Sequence, residues 1–222
     1  MGKKLLAILI DPEKTSAAEI GSLGHAIETS AATHIFVGGS TFQGSMDAIV
    51  CELKKIGLPV VIFPGHPSQI SPLADALLLL VLASGQNPDY LIGHHVLAAP
   101  TLKKSGLEII PAGYILIDGG TQSAVARVTQ TTPLSDIGTI VNTAIACEML
   151  GYKLIYLEAG SGALHPVGPE IILAVRESVS IPVIVGGGMK TKKAIQEAFD
   201  AGADMAVIGT AFEQDPEFFH HG

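Results

Sequence analysis

Tyr156-Leu157-Glu158-Ala159-Gly160-Ser161-Gly162 is the first of three glycine clusters in the last third of the chain, and each cluster closes a short apolar run. The other two clusters are Val185-Gly186-Gly187-Gly188 and Ile208-Gly209-Thr210-Ala211. Helix-type segments follow the first two. Strand, glycine loop and helix in repetition present backbone N–H groups to phosphate in parallel α/β proteins. The three loops therefore predict one phosphate pocket on the last three strands of a (β/α)8 barrel.

Strand candidates extend outward from these clusters over the whole chain. Most are continuous apolar runs, which is typical of parallel strands covered on both faces. The eight candidates span residues 5–10, 34–38, 59–63, 75–82, 108–117, 153–159, 182–186 and 205–209. Helices are predicted at 44–56, 136–150 and 191–201, and after Gly209 only residues 215–219 could be helical.

The crossover after the third strand is irregular. Three prolines and a glycine lie between Phe63 and Asp75 and leave no room for a full helix. A loop or a single helical turn is expected there. The length of 222 residues suits one domain, residues 1–222, so the predicted fold class is α/β, a single TIM barrel with a modified third crossover.

Composition limits the classes of function. The net charge of −8 argues against nucleic acid as a partner, so an anionic ligand would be held locally by backbone amides or a metal. Apolar residues make up 48% of the chain and the mean hydropathy is +0.45, which favours a large core and a homo-oligomer. The apolar run Leu5 to Ile10 is too short for a secretory signal, and Ala76 to Ala83 is too short for a membrane span.

The two cysteines and the eight histidines show no metal-ligand spacing. Cys51 and Cys147 are interpreted as reduced core residues of a cytoplasmic protein. The adjacent pair His94 and His95 is interpreted as surface or hydrogen-bonded. The origin of the closing His220-His221-Gly222, native or tag, stays open.

Two polar positions follow the first two strands, at the barrel end where active sites lie. Asp11 comes directly after Leu5 to Ile10 and could bind Mg²⁺, act as a base or cap a helix. Ser40 and Thr41 follow the second strand and could offer a hydroxyl to a metal or phosphate, or cap the helix at 44–56.

Glu158 is the most informative single residue. It ends an apolar strand beside a glycine loop, and a buried carboxylate there is costly unless a partner or ligand compensates. Because phosphate would repel it, its natural partner is a neutral hydroxyl, as in glycerol phosphate. The alternative is a structural salt bridge to a Lys or Arg.

The chain resembles the geranylgeranylglyceryl phosphate synthases over nearly its whole length. Besides the three glycine clusters, the resemblance is carried by the strings Leu9-Ile10-Asp11-Pro12, Val37-Gly38-Gly39-Ser40 and Phe63-Pro64-Gly65. Of these strings, Tyr156 to Gly162 is the specific one. The chain looks like the second of the family's two groups, found in archaea and some bacteria.

The resemblance implies a reaction, a cofactor and a ligand set. The family joins sn-glycerol 1-phosphate to a polyprenyl diphosphate through an ether bond, with Mg²⁺. Carried over, Asp11 and Ser40 are the metal ligands, and Glu158 and Asp11 are the catalytic residues. The residues that would bind glycerol 1-phosphate are Tyr156, Leu157, Glu158, Ala159, Gly160, Ser161, Gly162, Gly187, Gly188, Gly209 and Thr210.

The prenyl tail of such a substrate needs a long apolar groove, expected between the barrel rim and the outer helices. Leu97, Ala98 and Tyr114 are proposed to line it. The protein is expected to contact a membrane surface transiently, for the sake of the prenyl chain. Two other hypotheses remain at this point. One is a phosphate-binding barrel isomerase or thiamin-phosphate-type synthase, and the other is a noncatalytic barrel that binds a phosphometabolite.

Overall fold

Eight parallel strands form a closed barrel in the order β1 to β8 in the computed structural model, which describes residues 3–219. The terminal His220-His221-Gly222 lies outside the described residues. The strands are β1 Leu5–Ile10, β2 His34–Val37, β3 Val60–Ile62, β4 Ala76–Leu82, β5 Glu108–Leu116, β6 Leu154–Glu158, β7 Val183–Gly186 and β8 Met205–Ile208. Each lies within two residues of its predicted bounds. The predicted TIM barrel is confirmed.

Helices occupy the crossovers between strands. They are α1 Ala17–Glu28, α2 Asp47–Lys54, α3 His94–Ser105, α4 Ala124–Thr129, α5 Ile137–Met149, α6 Pro169–Ser178, α7 Lys192–Asp200 and α8 Thr210–Gln214. The predicted cap of α7 is present, because the Thr191 side chain accepts a hydrogen bond from the Ala194 N–H. Gly57 follows α2 and Gly151 follows α5. Both have positive φ, which is common for glycines that end helices.

Alternate side chains of each strand pack in two separate cores. One core lies between the strands and the helices and includes Ile8, Ile35 and Ile155. The other fills the barrel and includes Phe36, Tyr114 and Tyr156. Both faces of the strands are therefore buried, which explains the continuous apolar runs of the sequence.

The third crossover is a single 3₁₀ turn, Pro67–Gln69, as the prolines predicted. Its shortness leaves part of β4 unpaired on one side. β3 pairs with β4 only at Val61 with Ala76 and at Ile62 with Leu77, whereas β4 continues to Leu82. The barrel wall therefore opens between these strands near the carboxyl end.

Two details correct the expectations from sequence. The last helix, α8, begins at Thr210 directly after β8, and residues 216–219 form only a 3₁₀ turn. Cys51 is exposed on α2, because the apolar stripe of that helix does not include it, while Cys147 is buried as predicted. Within residues 3–219, no helix is long and apolar enough to span a bilayer.

Candidate active site

Glu158 ends β6 at the carboxyl end of the barrel, beside Leu116 of β5 and Gly186 of β7. Only 6% of its surface is exposed. The Gly160 N–H donates a hydrogen bond of 2.6 Å to its Oε1. Among the described residues, the ion pairs do not include Glu158, so the structural salt bridge considered from sequence is absent there.

Burial raises the pKa of the Glu158 carboxyl from 4.5 to about 7. Loss of hydration disfavours the charged form, and the Gly160 N–H and the nearby Tyr156 hydroxyl offset this only in part. A carboxyl with a pKa near the working pH exchanges a proton readily with a bound hydroxyl. Glu158 is thus suited to proton transfer.

The Tyr156 hydroxyl is a buried polar group without a partner among the described residues. A methyl group built on Gly186 would lie 2.3 Å from this hydroxyl and 3.1 Å from Glu158 Oε2, so the two polar groups are neighbours. No hydrogen bond of normal geometry joins them. The Tyr156 hydroxyl also helps to lower the pKa of Glu158, so the two groups form one buried polar pair at the end of β6.

Four aromatic rings fill the barrel below these groups. Tyr156 stacks on Tyr114 with ring centroids 5.4 Å apart and touches Phe63 at 5.1 Å, and Phe63 stacks on Phe36 at 6.1 Å. The faces of such rings attract positive charge. Of the four, Phe63 and Tyr114 also line a cavity, so a carbon atom that becomes cationic could approach these two rings.

The glycine loops of β6, β7 and β8 come together at the same rim. The hydroxyls of Ser161 and Thr210 lie 3.2 Å apart and link the first loop to the third. Gly187 has φ +82°, and a methyl group there would lie 2.4 Å from Glu158 Oε1. Gly188 packs against the His165 backbone in the same way. Packing against protein atoms thus explains two of the glycines without any ligand.

Leu157 and Ala159 belong to the core between barrel and helices. Their side chains point away from the barrel interior, so a role in substrate binding is limited to their backbone atoms. Tyr156 and Glu158 belong to the opposite face and approach the site with their side chains.

Gly209 gives the cleanest test of phosphate binding by the late strands. A methyl group there meets no atom closer than 3.5 Å, and φ is −115°. Gly209→Ala should leave the melting temperature nearly unchanged but weaken glycerol phosphate binding roughly tenfold, because the new Cβ occupies the approach to the backbone. Gly187→Ala should destabilise the protein by about 1–3 kcal/mol.

Calorimetric titration and thermal unfolding would separate these effects. Gly21→Ala on α1 is the matched control, because a methyl group there meets nothing within 4 Å. It should neither lower the melting temperature nor weaken glycerol phosphate binding. Normal binding by the Gly209 variant would remove β8 from the phosphate pocket.

Asp11 and the Gly39–Ser40 loop meet at the ends of β1 and β2. A methyl group on Gly39 would lie 2.8 Å from Asp11 Oδ1. Neither Asp11 nor Ser40 caps a helix, since Ser16 caps α1 and α2 begins only at Asp47, after Met46. Asp11 Oδ1 instead accepts a hydrogen bond of 3.0 Å from the Glu13 N–H.

A chain of charges that sequence reasoning missed surrounds Asp11. Lys14 Nζ lies 3.5 Å from Asp11 Oδ2 and 2.9 Å from Glu213 Oε2 of α8. Burial lowers the pKa of Lys14, but its hydrogen bond to Glu213 and the two carboxylates outweigh this, so the pKa is raised. Lys14 is therefore a fixed cation at the rim. In the sequence, only the spacing of three residues between Asp11 and Lys14 indicated that they could form an ion pair.

The donor atoms at this corner suit Mg²⁺. A carboxylate and a hydroxyl are hard oxygen ligands, and Mg²⁺ commonly takes few protein ligands, completing its shell with water and phosphate oxygens. Within the described residues, no group of three or more His, Cys, Asp and Glu is arranged to hold a metal. The corner thus fits a metal that arrives with a phosphate-bearing ligand, rather than a closed structural site.

An apolar cavity starts at the same corner and passes the opening between β3 and β4. Its lining includes residues of the barrel interior, such as Tyr114 and Leu82, and of the outer core, such as Leu77 and Leu102. No Asp, Glu, Lys or Arg is among the lining residues described. The cavity therefore connects the rim to the space beneath α3, as expected for a groove between rim and outer helices.

Two of the three residues proposed to line this groove do so. Ala98 and Tyr114 face the cavity, whereas Leu97 is 71% exposed on the outer side of α3 and is not part of the lining. The helical turn explains the error, because neighbouring residues of a helix point in different directions. His66, His94 and His95 also line the cavity.

His95 fastens α3 to the barrel. Its ring nitrogens lie 3.2 Å from the Leu91 carbonyl oxygen and 2.8 Å from that of Leu80, in the unpaired stretch of β4. The interpretation of His95 as a hydrogen-bonded residue is confirmed. This contact holds the outer wall of the cavity in place.

The segment between β5 and α5 packs on the β6 glycine loop. Methyl groups built on Gly119 and Gly160 would lie 2.5 Å from the Ala159 carbonyl oxygen and from Ser123 Cβ, respectively. The segment contains the unpredicted helix α4, capped by Ser123. It therefore supports the loop that carries Gly160.

A model of the PcrB family matches residues 3–221 of the chain. The geranylgeranylglyceryl phosphate synthase of Flavobacterium johnsoniae is 55% identical in an alignment that covers 98% of this chain and 91% of that protein. The synthase of the same name from Zunongwangia profunda is 51% identical, with 96% and 92% covered.

Among solved structures, the chain is similar to the (S)-3-O-geranylgeranylglyceryl phosphate synthase from Thermoplasma acidophilum in complex with sn-glycerol-1-phosphate. The TM-score is 0.93 and the identity 36%, covering 99% of this chain and 90% of that one. The two folds thus agree over nearly the whole length.

Proposed function

Because the chain belongs to the PcrB family, we propose that it joins the C3 hydroxyl of sn-glycerol 1-phosphate to a polyprenyl diphosphate. The prenyl group is proposed to be geranylgeranyl, and the products are an ether and free diphosphate. The observation that carries the proposal is the position of Glu158. This buried carboxyl lies beside the glycine loops, and the aromatic cluster that includes Tyr156 and Tyr114 links it to the apolar cavity.

Glu158 acts on the glycerol hydroxyl in this proposal. The C3 oxygen attacks C1 of the prenyl chain, while the bond from C1 to the diphosphate oxygen breaks and its electron pair leaves with the diphosphate. The hydroxyl proton passes to the Glu158 carboxylate. Since the pKa of Glu158 is about 7, both protonation states are accessible at neutral pH. The Tyr156 hydroxyl beside Glu158 is proposed to orient the same glycerol.

Asp11 and Ser40 would hold Mg²⁺ together with the diphosphate. A bound Mg²⁺ supplies a Lewis acid that neutralises charge on the leaving group. Lys14, held by Glu213 and Asp11, adds a fixed positive charge at this corner. Phe63 and Tyr114 line the cavity, and their rings would stabilise the positive charge that develops on C1.

The glycine loops orient the other substrate. The phosphate is proposed to bind backbone N–H groups of the β6, β7 and β8 loops other than that of Gly160, which already donates to Glu158. Ser161 and Thr210 contribute hydroxyls to the same place. Holding both substrates in one site contributes much of the rate, because attack no longer requires a chance encounter.

The cavity beneath α3 accepts the prenyl tail and limits its length. Ala98 lies on the cavity wall, so Ala98→Phe should shorten the accepted chain. Each CH₂ that can no longer be buried costs about 0.8 kcal/mol. Turnover with geranylgeranyl diphosphate should fall at least roughly tenfold, while turnover with geranyl diphosphate is retained.

A series of prenyl diphosphates in steady-state assays would measure this effect. The neighbour Ala99 is exposed and does not line the cavity, so Ala99→Phe serves as the control and should behave like the parent protein. An unchanged length preference in the Ala98 variant would place the prenyl tail elsewhere.

The proposed function is tested by incubating the protein with glycerol 1-phosphate, labelled geranylgeranyl diphosphate and Mg²⁺. Label should become extractable as a phosphate-bearing lipid only when all three are present, and EDTA should prevent it. Full activity in EDTA, or consumption of glycerol phosphate without the prenyl substrate, would favour the isomerase hypothesis instead.

A further inference from the structure

Helix α3 exposes apolar side chains on its outer side. Ile92, in the π-helical turn before α3, is 58% exposed, and Val96 and Leu97 are 62% and 71% exposed. Ala99 and Pro100 continue the exposed stretch. Large apolar side chains grouped on one surface commonly mark a binding site.

The same helix carries positive charge in an acidic protein. Helix α3 contains Lys103 and Lys104 but no Asp or Glu, whereas Asp89 and Glu108 lie just before and just after it and the chain as a whole carries a net charge of −8. Both lysines are exposed in the last turn of α3. Apolar residues followed by lysines on one exposed side are typical of helices that lie on anionic lipid surfaces.

The inner side of α3 forms the wall of the apolar cavity. Ala98 and Leu102 line it, and His95 ties the helix to β4. The exposed apolar side chains and the proposed prenyl site are therefore two sides of one helix. A long prenyl diphosphate dissolves in lipid more readily than in water, since each buried CH₂ favours the apolar phase.

We propose that the outer face of α3, formed by Ile92, Val96, Leu97, Lys103 and Lys104, docks on an anionic lipid bilayer. The inference rests on the proposed function, and it adds the source from which the prenyl substrate is taken. The apolar side chains enter the interface, and the lysines contact the acidic headgroups. The cavity beneath the helix then lies next to the bilayer that holds the substrate.

A bilayer fits this face better than a second copy of the chain does. Stable protein interfaces bury on the order of 1,000 Å² or more in total. Three large apolar side chains on one helix do not provide such an area. Reversible docking on lipid needs only a few inserted side chains and a local positive charge.

Flotation with vesicles tests the proposal. The full-length protein is mixed with vesicles of phosphatidylcholine and phosphatidylglycerol, about 7:3, or of phosphatidylcholine alone. The parent protein should float with the mixed vesicles and much less with the neutral ones. Leu97→Asp and the double variant Lys103→Glu/Lys104→Glu should each bind at least roughly fivefold more weakly, and added salt should weaken the parent.

Met149→Asp is the matched control. Met149 is 83% exposed at the end of α5, so the same substitution outside α3 should leave vesicle binding unchanged. Equal binding by all variants, or equal loss in the Met149 control, would overturn the proposal. A change in molecular mass of the Leu97 variant in light scattering would also overturn it, because a second copy would then be the occupant.

Turnover in solution separates this inference from the proposed function. With geranyl diphosphate and no vesicles, Leu97→Asp should match the parent protein, since Leu97 does not line the cavity. Failure of the parent to form ether under these conditions would contradict the proposed function. Normal ether formation without any vesicle binding would contradict only the docking surface.

Discussion

Glu158→Gln should slow ether formation by roughly 10²–10⁴-fold and should at the same time stabilise the fold at neutral pH. Glutamine keeps the shape, and its side-chain oxygen can still accept the 2.6 Å hydrogen bond from the Gly160 N–H. It cannot take a proton from the glycerol hydroxyl. Binding of the prenyl diphosphate should change little.

The stability effect follows from the raised pKa of Glu158. In the unfolded chain the carboxyl ionises near 4.5, whereas in the folded protein it holds its proton up to about pH 7. The neutral carboxyl therefore favours the fold fully below pH 4.5, and this contribution is lost as the pH rises through 7. The loss is on the order of 3 kcal/mol, which Glu158→Gln avoids.

Melting temperatures of parent and variant should thus be similar at pH 4.5 and should separate by several degrees at pH 8, with the variant higher. Activity of the parent should rise with pH through about 7, as the base ionises. Glu148→Gln is the control. Hydrogen bonds from Ser180 and Ile181 lower the pKa of that carboxyl, so this variant should not melt higher than the parent protein at pH 8. A Glu158 variant that melts lower at pH 8 would indicate a structural role.

Asp11→Asn should lower Mg²⁺-dependent turnover roughly 100-fold or more, while glycerol phosphate still binds. Asparagine can keep the hydrogen bond from the Glu13 N–H, and Lys14 keeps its 2.9 Å contact with Glu213. The fold should therefore survive. The lost group is the proposed anionic ligand for the metal, whereas the proposed phosphate pocket is on the last three strands.

Ser40→Ala should do less harm, because water can replace a neutral hydroxyl ligand. Asp136→Asn is the control. It changes a carboxylate that caps α5, and asparagine caps a helix equally well, so both glycerol phosphate binding and turnover should stay unchanged. Calorimetry with glycerol phosphate and turnover over a range of Mg²⁺ would measure the difference. An Asp11 variant that forms ether at the parent rate would exclude the metal assignment.

Much of the barrel was predictable because each strand is a short apolar run bounded by glycine, proline or a polar residue. The positions of Asp11 and Glu158 followed from the same runs, since active-site side chains lie at the carboxyl ends of strands. The specific string Tyr156 to Gly162 carried the resemblance to the family, which the comparisons confirm.

Side-chain environments were less predictable because they depend on residues far apart in sequence. Lys14 meets Glu213 across the closure of the barrel, and Gly187 is required by Glu158 rather than by a ligand alone. The cavity depends on how far β4 extends beyond β3, which no local pattern encodes. Leu97 was misplaced because the phase of α3 is set by the fit of Ala98 and Leu102 against the barrel.

The origin of the ether oxygen tests the central claim most directly. Glycerol 1-phosphate labelled with ¹⁸O at the C3 hydroxyl is converted with geranylgeranyl diphosphate, and both products are analysed by mass spectrometry. Attack of the glycerol oxygen on the prenyl carbon predicts ¹⁸O in the lipid ether and none in the released diphosphate. Label attached to phosphorus, with free prenyl alcohol as the other product, would contradict prenyl transfer by this site.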